Sequence, residues 1–123
     1  MDALAEGLVW SRCCDVTARV YRLISAWSDR VFADRVLTNT LGIPEHVAAH
    51  MACPDEAARV THARATVEAL TILQTQLYLA TECGLLDRRE STELCFEAAR
   101  LVERLVSQHE RRENIAVKDG DTR

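Results

Sequence analysis

The run Leu-Thr-Ile-Leu-Gln-Thr-Gln-Leu-Tyr-Leu-Ala-Thr-Glu-Cys-Gly-Leu-Leu, from Leu70 to Leu86, constrains the fold more than any other part of the chain. Its apolar residues recur at helical spacing, and it stops at Gly84, a residue suited to the left-handed turn that ends a helix. Leu70, Leu73 and Leu77 share a stripe that can face the core of a helical bundle, but Ile72 and Leu79 then point elsewhere. More apolar surface is present than one inward stripe needs, so a second buried surface is expected.

The rest of the chain reads as three further helices. Between Leu8 and Trp27 two adjacent stripes keep steps of four, three, four and three residues: Val9, Cys13, Val16, Val20, Leu23 and Trp27, then Trp10, Cys14, Thr17, Tyr21 and Ile24. Together they make a wide apolar face, suited to contact from two sides within a bundle or across subunits. Ser28 or Asp29 offers an N-cap for a second helix that starts near Arg30 and carries Phe32, Val36, Ile43 and Val47. Pro44 inside that helix removes an amide and crowds the carbonyl four residues earlier, which predicts a kink or break. Cys53-Pro54-Asp55-Glu56 closes the second helix and opens a third from about Pro54 to Cys83, with Pro54 as its first helical residue. Val60, Ala63, Val67, Leu70, Leu73 and Leu77 of that helix are expected to face inward. Asp87 with Glu90 resembles a capping box for a fourth helix presenting Leu94, Ala98, Leu101 and Leu105, with Cys95, Val102 and Val106 beside them. Its pattern fades after His109. No strand-like alternation and no repeat interrupts this order, so the expected fold is all-α: an up-and-down four-helix bundle over residues 1–112, followed by a disordered polar tail over 113–123.

With 123 residues the chain is sized for one domain with a real core. The net charge of −4, with fourteen arginines and Lys118 set against 19 acids, argues against a strongly basic nucleic-acid clamp. Arg100, Arg104, Arg111 and Arg112 on or beside the last helix are the candidates for nucleic-acid contact. Glu97, Glu103 and Glu110 alternate with them, so a solvated face laced with ion pairs is the preferred reading. Five cysteines, an odd number without C-x-x-C spacing, fit neither a disulfide framework nor a zinc ribbon and read as reduced core thiols of a cytoplasmic protein. Arg19, Arg22, Arg64 and Glu68 interrupt the longest apolar runs, so no membrane span is expected.

Among chemical constellations, His46, His50 and Cys53 stand out, because steps of four and three residues would set three metal donors on one helix face. No fourth donor is specified unless His62 or another subunit supplies it. Two polar histidines at a helix end are the simpler reading. A di-iron bundle needs Glu-x-x-His pairs, and none of His46, His50, His62 and His109 has a glutamate three residues before it. Cys13 and Cys14 lie on the two apolar stripes and read as inert thiols. Trp10, Tyr21, Trp27 and Tyr78 occupy apolar helical positions and read as core or interface residues rather than base-stacking platforms. Arg64 and Glu68 are spaced for an ion pair. Neither a catalytic constellation nor a cofactor motif is evident.

The order of Leu8-Val9-Trp10, Val20-Tyr21, Gly42-Ile43-Pro44-Glu45-His46-Val47-Ala48-Ala49-His50, and Ile72-Leu73-Gln74-Thr75-Gln76-Leu77 through Ala80 and Gly84 resembles a known four-helix bundle family. That family was first described as proteins encoded by intervening sequences of 23S ribosomal RNA genes, and the resemblance covers about residues 5–112. It implies a ring of five bundles around a central opening, as in members that include the accessory variability proteins of diversity-generating retroelements. Those relatives are basic and bind RNA with a reverse transcriptase, whereas this chain is acidic. The family's polar signature is altered here: His46 replaces an asparagine, Ala49-His50 a Glu-Gly pair, and Ile72 a glutamate. These changes read as retuned helix packing.

The sequence thus predicts a non-enzymatic homo-oligomeric scaffold, with Trp10, Tyr21, Ile72 and Leu79 between subunits and five copies as the number the resemblance implies. An RNA- or nucleoprotein-associated accessory protein is the alternative, and a metal-binding bundle the third reading.

Overall fold

A computed structural model describes the backbone of residues 3–121 and side chains over residues 3–108. Four helices follow one another: α1 (Ala3–Ile24), α2 (Arg30–Ala52), α3 (Glu56–Glu82) and α4 (Arg88–Asp121), with no strand among the described residues. Each packs antiparallel on the next in sequence, while α1 and α4 meet along a looser seam. One core runs through the bundle, with Cys13, Val20, Val36, Ile43, Leu70, Leu73 and Leu94 at its centre. The apolar stripes of the four helices converge there, and their burial supplies most of the driving force for folding.

Local chemistry fixes the helix ends. Asp29 caps α2 by accepting from the amide of Phe32 at 3.0 Å. Arg30 folds back so that Nη1 donates to the carbonyls of Ile24 and Trp27 at the end of α1. Trp27 stacks on Phe32 across this turn, ring centroids 5.5 Å apart. Asp55 caps α3 through the amide of Ala58, so α3 starts at Glu56 and Pro54 precedes the cap instead of opening the helix. Asp55 wins because its carboxylate satisfies an orphan amide, which a proline cannot do. At the far end of α3, Gly84 adopts φ +76° and its amide donates to Thr81, while the amide of Leu85 donates to Ala80. This pair of bonds is the Schellman closure that glycine makes cheap. Asp87 precedes α4 and its carbonyl takes the amide of Ser91, but the reciprocal side-chain bonds of a capping box are not formed among the described residues.

Of the kink or break expected at Pro44, the break does not occur: helix α2 runs through it. The carbonyl of Thr40 loses its helical donor there, and the buried hydroxyl of Thr17 on α1 lies 3.4 Å from that oxygen, while also donating to Cys13 at 2.8 Å. Helix α4 continues to Asp121, so residues 113–121 extend it where a disordered tail was expected; residues 122 and 123 lie outside the described residues. Elongating a formed helix adds a backbone bond for each residue fixed.

Amide side chains lock the helices in register. Asn39 on α2 donates to the carbonyl of Ala69 and to Gln76 Oε1 on α3, at 3.0 and 3.2 Å. Gln74 on α3 donates to the carbonyl of Cys95 on α4, and the Cys95 thiol returns a bond to the carbonyl of Gln74.

Thr17→Val keeps the shape of the side chain and leaves the Thr40 carbonyl without a nearby donor. We expect a loss of roughly 1–2 kcal/mol in urea unfolding. Thr40→Val removes a hydroxyl that bonds the Val36 carbonyl of its own helix, and we expect the smaller loss; the reverse order would contradict this account of Pro44.

Candidate functional site

The most concentrated polar chemistry lies at the end of the bundle where α1 and α3 begin and α2 finishes. Glu6 Oε1 accepts from Arg59 Nη2 at 2.5 Å and stands 3.7 Å from His50 Nε2. His50 Nδ1 lies 2.9 Å from the carbonyl oxygen of Arg59. That oxygen can only accept, so Nδ1 carries the proton. All three side chains are largely buried, with 10% of Glu6, 11% of His50 and 17% of Arg59 exposed. Arg59 Nε is buried without a hydrogen-bond partner. The connection through Cys53, Pro54 and Asp55 is short, which sets His50 level with Arg59 and lets Glu6 close the cluster from α1. The cavity beneath, lined by Val9, Val47, Met51 and Leu105 among others, measures only about 10 Å³, space for about one water. Among the described residues the cluster is thus a clamp of three helix ends over a space for about one water.

The expected donors His46, His50 and Cys53 are not brought together. Cys53 has left the helix as the C-cap of α2, with ψ 123°, and its thiol turns to the carbonyl of Asp55. His50 is held by Arg59 and Glu6, and the His46 ring lies back along its own helix over Gly42. No group of three or more metal-donor side chains exists among the described residues. Because Cys53 lies outside the helix, steps of four and three residues do not set the three side chains on one helix face.

The cysteines do not share one environment. Cys13 is fully buried, and burial pushes its thiol up to about 12, with Cys14 adding to the effect. Burial also raises Cys14 and Cys95. Cys83, by contrast, caps α3 and is exposed, so the expectation of core thiols throughout is corrected there.

The four residues expected between subunits all lie on the surface: Trp10 is 42% exposed, Tyr21 57%, Ile72 49% and Leu79 47%. Tyr78 is exposed on the neighbouring stripe of α3, and Leu41 of α2 is exposed as well. From Ala69 to Thr81, α3 carries no charged residue. The exposed Thr71 and Thr75 bond back along their own helix to the carbonyls of Val67 and Thr71, at 2.8 and 3.5 Å.

Arg100 and Arg104 are exposed on α4, with the Arg100 guanidinium 6.0 Å from the centre of the Phe96 ring. Arg104 lines the α1–α4 seam beside Glu103. Further along this seam Arg19 donates to Glu93 at 2.6 Å, a bond that lowers the Glu93 pKa. The side chains of Arg111 and Arg112 lie outside the described residues. Among the described residues Arg64 and Glu68 do not form the expected ion pair.

Sequence reasoning missed the Glu6–Arg59 pair because its members are 53 positions apart. A signal existed: Glu6 stands three residues before Val9 and seven before Cys13, an acid on the inward stripe of α1.

Glu6→Gln leaves Arg59 a buried, uncompensated charge and is expected to destabilise the fold by about 3 kcal/mol or more in chemical unfolding. Glu6→Leu combined with Arg59→Met should recover most of that loss. Thiol titration with a disulfide reagent at pH 8 should label Cys83 in the native protein and reach Cys13 only after unfolding, because Cys13 is both enclosed and protonated.

No family model matches the chain, and no curated protein matches it in sequence. In three dimensions it is similar to the crystal structure of a protein of unknown function from the S23 ribosomal protein family of Bacteroides thetaiotaomicron. The TM-score is 0.77 at 11% sequence identity, over 83% of this chain and 95% of that one. The likeness is one of fold: both are helical, and their chains follow the same path.

Proposed function

We propose that the protein is a non-enzymatic, cytoplasmic scaffold whose bundles associate side by side into a closed ring. The observation that carries this reading is the outer side of α3, where Ile72, Tyr78 and Leu79 lie exposed in a segment without charge. A helix in permanent contact with water is normally polar on that side, and an extended apolar surface marks an interface. A second exposed apolar group lies on α1 and α2, around Trp10, Tyr21 and Leu41. Two unlike surfaces on one chain suit a head-to-tail contact, which closes into a ring when the rotation allows. Five copies follow from the family resemblance, to which the shared fold of the S23-family structure lends support. No helix among the described residues is long and apolar enough to cross a membrane.

An RNA-associated role draws on the ribosomal-protein family of the similar structure. It has less support on the surface itself, where Arg19 is paired with Glu93. Phosphate binding needs cations that are not already neutralised.

Light scattering on the purified protein should give five times the 13.8 kDa of the chain. Ile72→Glu and Leu79→Glu should each reduce the particle to a helical monomer. A wild-type monomer at micromolar concentration would overturn the scaffold reading.

A further inference from the structure

We infer that the assembly is held by a knob and a hole: Trp10 of one copy enters the groove between α3 and α4 of the next. This rests on the self-assembly reading and adds a contact apart from Ile72 and Leu79, which share the α2-facing stripe of Gln76 and lie outside the groove. The groove is lined by Val60, Ala63, Val67, Leu105 and Val106 and encloses about 240 Å³. That is below the roughly 300 Å³ at which small-molecule clefts begin, and apolar pockets of this kind suit a single large side chain.

Three observations select Trp10 as the occupant. The first is the side of the bundle it occupies. Trp10 and Thr17 stand two helical turns apart on one stripe of α1, and Thr17 reaches Thr40 of α2. Trp10 therefore lies along the α1–α2 side, opposite the α3–α4 groove. Unlike surfaces on opposite sides are what a head-to-tail ring requires.

The second is height along the bundle. Glu6 meets Arg59, so Trp10, four residues beyond Glu6, is level with Ala63, four beyond Arg59. Ala63 lines the groove. Rotation about a ring axis parallel to the helices moves a residue around the axis without changing its height, so a knob and its hole must share a level. Tyr21 lies three turns higher, level with Gln74 and clear of the groove.

The third is charge. Arg64 flanks the groove and Glu45 is exposed on α2; neither makes an ion pair among the described residues. Because His50 and Arg59 meet, Glu45, five residues before the one, is level with Arg64, five after the other. Glu68 also lines the groove, one turn further along α3 and above this level. The contact thus sets Glu45 of one copy against Arg64 of the next, beside the buried indole.

The test is the particle mass by light scattering over a dilution series, with helical content checked by circular dichroism. Trp10→Ala and Val106→Arg should each shift dissociation to at least tenfold higher protein concentration while the monomer stays helical. Glu45→Arg and Arg64→Glu should each weaken the assembly, and the double exchange should restore it. If wild type assembles and all four single variants dissociate as it does, or if the double exchange remains as weak as the single ones, the knob-and-hole contact is wrong while self-assembly stands. If wild type is monomeric, the scaffold reading itself fails.

Discussion

The contact of Glu6 with Arg59 and His50 is the interaction on which the geometry of this bundle depends. It joins the first turns of α1 and α3 to the last turn of α2, and so fixes the relative heights of three helices at one end. An apolar contact tolerates small slides, whereas a buried carboxylate beside a guanidinium does not, because displacement leaves a charge without compensation. The levels of Trp10, Ala63, Glu45 and Arg64 all follow from this single clamp.

The middle of the bundle carries a second polar adjustment. Pro44 within α2 strips a donor from the Thr40 carbonyl deep in the core, and Thr17 of the neighbouring helix stands where it can compensate. The buried hydroxyl of Thr17 is thus tied to a proline of the neighbouring helix. The cost of an unmade buried hydrogen bond explains why a hydroxyl is retained at Thr17 where valine would fit as well.

Much of the fold was legible because it rests on periodicity. The stripes through Val9 and Cys13, through Leu70 and Leu73, and through Leu94 and Leu101 each find the shared core, and Asp29 and Gly84 end their helices as capping chemistry predicts. What could not be read is what depends on distant partners or on competition between near-equal local choices. Pro54 and Asp55 both favour the start of a helix, and the side-chain bond to Ala58 decides between them. His50 looked like a ligand when considered with its sequence neighbours, but its true neighbours come from α1 and α3. Ile72 and Leu79 were recognisable as surplus apolar residues, because too many such positions crowd one helix for a single inward stripe. The groove between α3 and α4 left no trace in the pattern, since it forms where small and branched residues of two helices fail to meet.

The amide locks on either side of α3 have a consequence for recognition. Asn39 with Gln76 on one flank and Gln74 with Cys95 on the other prevent the helix from rolling or sliding between its neighbours. Its outward-facing side is presented already rigid, so a protein that docks there forfeits little backbone freedom from this partner. Pre-organisation of that kind lets a modest contact area hold firmly, and an addition to the side chains of α3 would alter binding without reshaping the platform beneath.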